Sequence, residues 1–177
     1  MVFRWVFLVA FFAVVVVEAI LQLTWNRWYF RTGIPLLDLE KAASPLAPKP
    51  PDIEALADKT GRTISSRLVF KTLGDTDQAF RERVFGGRSA PIMRGLITYN
   101  YYEGKVELKG YVYWHMLFFL VDWYAFIVTY RFMSSSFQGM WLFLLLPMAV
   151  VGLLYLFQVR KFKKVLEVAT QMWSIDR

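Results

Sequence analysis

The chain has 177 residues, 56% of them hydrophobic and 18% aromatic, with a mean hydropathy of +0.37 and a formal net charge of +7. Soluble domains lie nearer about 45–50% apolar, and the excess here falls in three blocks, as expected of an integral membrane protein bound to the lipid bilayer. The basic charge lies between and after those blocks with no nucleic-acid recognition motif, so it is read as topological or lipid-directed; the lack of cysteine excludes a disulfide framework, a thiolate metal site and a cysteine nucleophile.

Trp5 to Leu23 (WVFLVAFFAVVVVEAILQL) is the first block, about the 20 residues a helix needs to cross a bilayer. Trp25, Trp28 and Tyr29 follow, amphipathic rings of the kind that mark an exit from hydrocarbon. A cleavable leader is the rival, since Arg4 gives a charged start and Val17 and Ala19 have cleavage-like spacing. The apolar run continues through Ile20, Leu21 and Leu23, so residues 5–23 are taken as a retained transmembrane helix. Residues 24–51 are expected to be an interfacial segment and linker. Thr32 to Leu39 is short and apolar enough to lie along the membrane surface or under the domain, and the four prolines of Ser44 to Pro51 imply a stiff, extended connection.

Residues 52–110 are expected to form a small α+β domain of β-α-β-β type. Asp52 can cap a helix over IEALADKT, ended by Gly61. Thr63 to Leu73 has the β-branched, alternating character of a strand. Asp75 or Asp77 can cap a second helix over TDQAFRERVF, closed by Gly86 and Gly87. Ile92 to Tyr102 and Lys105 to Tyr113 then read as a hairpin turned by Glu103 and Gly104. So small a domain needs cover from the membrane face, another part of the chain or a partner.

Residues 111–130 (YVYWHMLFFLVDWYAFIVTY) and 139–157 are the second and third expected transmembrane helices, with Pro147 a tolerated kink in the third. Only Gly110 separates the hairpin from the second. Residues 158–177 follow as a basic amphipathic helix, with Tyr155, Val159, Phe162, Leu166, Ala169 and Trp173 on one stripe. Its Arg160, Lys161, Lys163 and Lys164 are directed at anionic lipid headgroups, or else the apolar stripe covers the domain. Lys and Arg number 14 in residues 26–110 and 5 after residue 158, against Arg4 and Arg131 alone on the other side. With Arg27 and Arg31 agreeing, the positive-inside rule puts the domain and C-terminus in the cytoplasm and the N-terminus outside, in a multi-pass protein of the cell (inner or plasma) membrane.

Charged groups inside apolar spans are costly and so are functional candidates. Glu18 and Gln22 share one face of the first helix; His115, Asp122 and Thr129, spaced seven apart, share a face of the second with a drift of about 20° per step. At about 1.5 Å of rise per residue, Glu18 falls in depth between His115 and Asp122, so the two faces can form an internal polar cluster. Such a cluster is either a proton or ion relay or a fastening between helices. His115 is the one histidine, so a haem or pigment would have it as sole ligand from this chain, and no cofactor is expected. Gly86 to Ser89 lacks the spacing of a phosphate loop, and Ser134 to Ser136 has no histidine beside it.

No catalytic constellation emerges. The expected function is that of a non-enzymatic accessory or scaffold subunit, or interaction module, of a larger membrane assembly, contacting other membrane subunits or itself. The alternative is a small proton- or ion-coupled transporter built on the Glu18, His115 and Asp122 cluster.

Overall fold

The computed structural model describes residues 2–43, 50–64, 68–82, 92–133 and 140–175. Five strands make one antiparallel sheet: β1 (Pro35–Ala42), β2 (Leu68–Thr72), β3 (Asp77–Glu82), β4 (Met93–Asn100) and β5 (Lys105–Val112), in the order β1-β5-β4-β3-β2. The helices are α1 (Val2–Leu23), α2 (Arg27–Arg31), α3 (Ile53–Thr63), α4 (Trp114–Met133) and α5 (Met140–Ile175). Among the described residues, α1 and α5 are long and apolar enough to cross a membrane, and Trp114–Thr129 is a shorter apolar helix.

The mixed α+β domain is present, with three corrections to its parts. Asp77 to Glu82 is a strand and not a helix, paired with β2 on one side and β4 on the other. Its six residues are all buried, and tertiary pairing overrides the helix-forming character of that stretch. Pro35 to Ala42 is an edge strand on β5 rather than a membrane-surface segment; Leu37 and Leu39 alternate with Asp38 and Glu40, and Pro35 opens the strand, where a missing N–H is tolerated. The domain is therefore β-α-β-β-β-β and begins before residue 52. Asp52 does cap α3, accepting from the Ala55 N–H at 3.2 Å. The helix nevertheless runs through Gly61 to Thr63.

The β4–β5 connection is the four-residue turn Tyr101 to Gly104, with Gly104 at φ +62°. Tyr111 and Val112 still belong to β5, so the second apolar helix starts at Trp114 and not at residue 111. The joint is Tyr113, whose N–H donates to the Ile92 carbonyl at 3.0 Å. Residues 44–49, Gly86 to Ser89 and Ser134 to Ser136 lie outside the described residues.

The sheet's two faces carry two cores. On one, Phe70, Phe80, Met93, Ile97, Tyr99, Val106 and Leu108 pack with Leu56 of α3 and with Phe162, Val165, Leu166, Ala169 and Trp173. The latter residues belong to α5, so the third apolar block and the basic tail are one continuous helix of 36 residues, about 54 Å long. Its first half exposes Leu145, Leu146, Met148, Leu153, Leu156 and Phe157, and its second half buries a stripe on the sheet. The cover the small domain needs thus comes from its own chain. Gly95 and Gly110 face each other across β4 and β5, and a Cβ on Gly110 would stand 3.0 Å from the Phe162 ring. Glycine at 110 leaves the seat for that ring, and glycine at 95 leaves room for the Phe80 ring beside it. Phe162, 3% exposed, also meets Phe80 with ring centres 4.9 Å apart. Phe162→Ala is expected to lower stability by about 3–5 kcal/mol, read as a fall in the thermal midpoint of the detergent-solubilised protein; an unchanged midpoint would contradict this docking.

Candidate functional site

Where the helices meet the sheet, polar groups converge on Glu18. The turn that brings them together begins at the end of α1. Trp25 takes φ 52°, and the Trp25 and Asn26 N–H groups donate back to the Gln22 and Leu21 carbonyls at 3.3 and 3.0 Å, the double closure that ends many helices. Asn26 then caps α2, its side chain accepting from the Tyr29 N–H at 3.2 Å. This folds α2 back over the second sheet face, where Tyr29 and Phe30 join Leu73, Ala79, Leu96, Tyr111 and Tyr113 in the smaller core. Arg27 donates to the Leu73 carbonyl and Arg31 pairs with Asp77. The two arginines enlisted above for membrane orientation are thus bound to the domain.

The Glu18 side chain is 1% exposed. One oxygen accepts from the Tyr29 hydroxyl and from the Trp114 N–H at 2.7 Å. The other accepts from the His115 N–H at 2.9 Å and lies 2.6 Å from His115 Nδ1. An ionised carboxylate only accepts, so Nδ1 carries the hydrogen, and all four lone-pair positions are filled. Trp114 and His115 are the first two residues of α4, whose N–H groups have no partner within the helix. Glu18 therefore caps one helix from the side of another.

Arg94 closes the arrangement from the sheet. It is fully buried, with Nη1 3.8 Å from Glu18. Its guanidinium donates to the Tyr29 carbonyl at 3.1 and 2.9 Å, to Val112 at 2.8 Å and to Thr32 at 2.7 Å. It lies 3.7 Å from the centre of the Tyr29 ring. Gly33, at φ +142°, leaves room, since a Cβ there would come within 2.9 Å of Arg94 Nη2. Desolvation draws the Arg94 pKa down, opposed by Tyr29 and Glu18; arginine starts so high that it stays charged. Burial pushes the Tyr29 hydroxyl far above its ordinary value, opposed by Arg94, which keeps it neutral and a donor.

Of the residues singled out from the sequence, the structure joins Glu18 and His115. Gln22 is buried one turn further along α1. Asp122 is half-buried, and no hydrogen bond or ion pair links it to Glu18 among the described residues. Thr129 is exposed and donates to the Ala125 carbonyl of its own helix at 2.8 Å. Among the described residues, the first member of the seven-residue stripe is the one that meets Glu18. Of the four tail cations, Lys161 pairs with Glu82 at 2.7 Å, while Arg160, Lys163 and Lys164 are exposed. Tyr29 and Arg94 were missed; the first reads as an interface aromatic and the second as an ordinary strand-surface cation.

Among the described residues, no group of three or more His, Cys, Asp or Glu gathers as metal ligands. The two shallow clefts of the domain lie around Pro51 and Asp52, far along the chain from the Glu18 knot. No family model matches this sequence, and no curated protein or solved structure is similar enough to lend it a role.

Proposed function

We propose that this chain is a non-enzymatic, multi-pass membrane protein that holds a small α+β platform at a fixed attitude to the bilayer, as an accessory or scaffold subunit of a larger membrane assembly. The observation that carries this reading is the Glu18 knot. A carboxylate on α1 caps α4, and the Arg94 beside it ties both to α2 and β5, so that platform and helices move as one piece. Support also comes from the apolar helices, which expose Phe12, Val16, Ile20, Phe118, Val121, Phe126, Leu146 and Leu153 within the monomer, surface suited to lipid or to helices of neighbouring subunits. In this reading α4, 20 residues long, crosses the membrane with α1 and α5. The domain and C-terminus are then cytoplasmic and the N-terminus outside. Reporter fusions that place the C-terminus outside would overturn the orientation.

The coupled-transporter alternative draws on the Glu18–His115 contact. The two readings part at the lower members of the stripe. Under the scaffold reading, Asp122→Asn and Thr129→Ala are expected to change stability by less than about 0.5 kcal/mol and to leave native-gel migration of the assembly unchanged. Under the transporter reading, Asp122→Asn abolishes proton or ion flux in liposomes carrying the purified protein. A wild-type chain that runs as a monomer after mild extraction from its own membranes, with such flux, would sink the scaffold reading.

A further inference from the structure

At the end of the sheet where α1 stops, β5 runs into α4 and α5 changes from apolar to amphipathic, a buried cation has no anion among the described residues. Arg81 on β3 is 8% exposed. Its one hydrogen bond among the described residues is long, Nη1 to the Glu82 carbonyl at 3.4 Å, and its buried Nε has no partner. The guanidinium lies 4.9 Å from the centre of the Trp25 indole. Tyr113, packed in the same small core as Trp25, is fully buried, and its hydroxyl also has no hydrogen-bond partner among the described residues.

A charge taken out of water without a counter-charge is strongly unfavourable, and so is a buried hydroxyl without a partner. Among the described residues no carboxylate pairs with Arg81. Glu82, adjacent in sequence, pairs with Lys161 toward α5. Residues 83–91, which follow β3, contain neither Asp nor Glu. Trp25 adds a further sign of a purpose-built place. It is the one non-glycine residue at positive φ among the described residues, an uncommon conformation for so bulky a side chain, and there its indole lies against Arg81.

We propose that Arg81, the Tyr113 hydroxyl and the Trp25 indole form a binding site for the phosphodiester headgroup of an anionic phospholipid. This rests on the membrane reading above, which puts the domain-side ends of α1, α4 and α5 at the headgroup layer. Arginine suits a phosphodiester because its planar fork can donate two parallel bonds, tyrosine adds a third donor, and tryptophan belongs at that depth. An anionic lipid is favoured over a zwitterionic one because Arg160, Lys163 and Lys164 are exposed on the adjoining part of α5 and repel a choline or ammonium group. The lipid site thus moves from the tail to the sheet end, with the tail cations as its electrostatic surroundings.

The test compares the full chain in nanodiscs of phosphatidylcholine alone with nanodiscs containing phosphatidylglycerol as well. The wild type is expected to unfold at a higher temperature in the mixed discs and to retain phosphatidylglycerol in native mass spectrometry. Arg81→Met is expected to be at least as stable as wild type in phosphatidylcholine, since an unpaired charge is removed, and to lose the phosphatidylglycerol gain. Should Arg81→Met not fold, Arg81→Lys decides, with phosphatidylglycerol bound about tenfold more weakly for loss of the fork. The double change Lys163→Gln and Lys164→Gln is expected to reduce the gain without abolishing it, since the Arg81 fork remains. An equal gain in wild type and Arg81→Met, or full-strength binding by Arg81→Lys, would overturn the site. Inorganic phosphate giving the same gain in phosphatidylcholine discs would overturn the lipid as its source. A chain that stays soluble without discs or detergent would instead overturn the membrane reading.

Discussion

Replacing Glu18 by Ala is expected to destabilise the protein by about 3–5 kcal/mol, the cost of breaking a buried charged arrangement by removing one partner. The loss has several parts. The Trp114 and His115 N–H groups at the start of α4 and the Tyr29 hydroxyl would each be left without an acceptor. Arg94 would lose its nearest anion. Glu18→Gln separates shape from charge. Whichever way the amide is turned, its NH2 faces a backbone N–H, from Trp114 on one side or His115 on the other. The glutamine variant is therefore expected to be destabilised too, by about 1–3 kcal/mol, the cost of an unsatisfied buried polar group. Thermal unfolding in detergent reads the overall loss, and hydrogen exchange at the Trp114 and His115 amides reads the local one. If Glu18→Gln matched the wild type in both, the carboxylate would not be the cap described here.

How much of this was readable beforehand depends on where the information lies. Depth arithmetic along two helices, which needs only the rise per residue, makes a meeting of Glu18 with His115 possible if their polar faces turn to each other. Asp122 and Thr129 share the same periodicity but make no hydrogen bond or ion pair to Glu18 among the described residues, because a seven-residue repeat fixes a face and not what stands opposite. Arg94 was hidden for a different reason. Between Met93 and Gly95 it resembles any cation on the outer face of a strand; it is buried because α2 folds back over it. That fold-back depends on the left-handed turn at Trp25, and tryptophan is not a residue that announces such a turn.

The sequence disguises strand β3 as a helix for the reason that makes it central. Both of its faces are covered, so the alternation that betrays a half-exposed strand is absent, and QAFRER has the composition of a helix. The edge strand β1 did carry its signal, with Leu37 and Leu39 alternating with Asp38 and Glu40, but Pro35 and the neighbouring apolar residues suggested an interfacial stretch. Continuity of α5 was also legible in part, since the stripe that covers the sheet begins at Tyr155, inside the third apolar block. Its hydroxyl donates to the Leu36 carbonyl of β1 at 3.2 Å. The composition changed there; the helix did not.

Gly95 gives the second large effect, one that turns on a single methyl group. A Cβ at this position would lie 2.1 Å from two ring atoms of Phe80, the residue directly opposite on β3. The ring has little room to withdraw, since Phe70 stacks on it at 5.4 Å and Phe162 stands at 4.9 Å. Gly95→Ala is therefore expected to cost about 3 kcal/mol or more, the upper end for overpacking a core. Gly61→Ala, with nothing within 4 Å of the added carbon and a helical backbone, is expected to stabilise by about 0.5–1 kcal/mol instead. The decisive measurement is a double-mutant cycle. Phe80→Ala alone is expected to cost about 3–5 kcal/mol, but in that background Gly95→Ala no longer meets a ring, so the pair should cost clearly less than the two singles added together. Additive losses would mean that glycine at 95 serves the backbone and not the Phe80 ring.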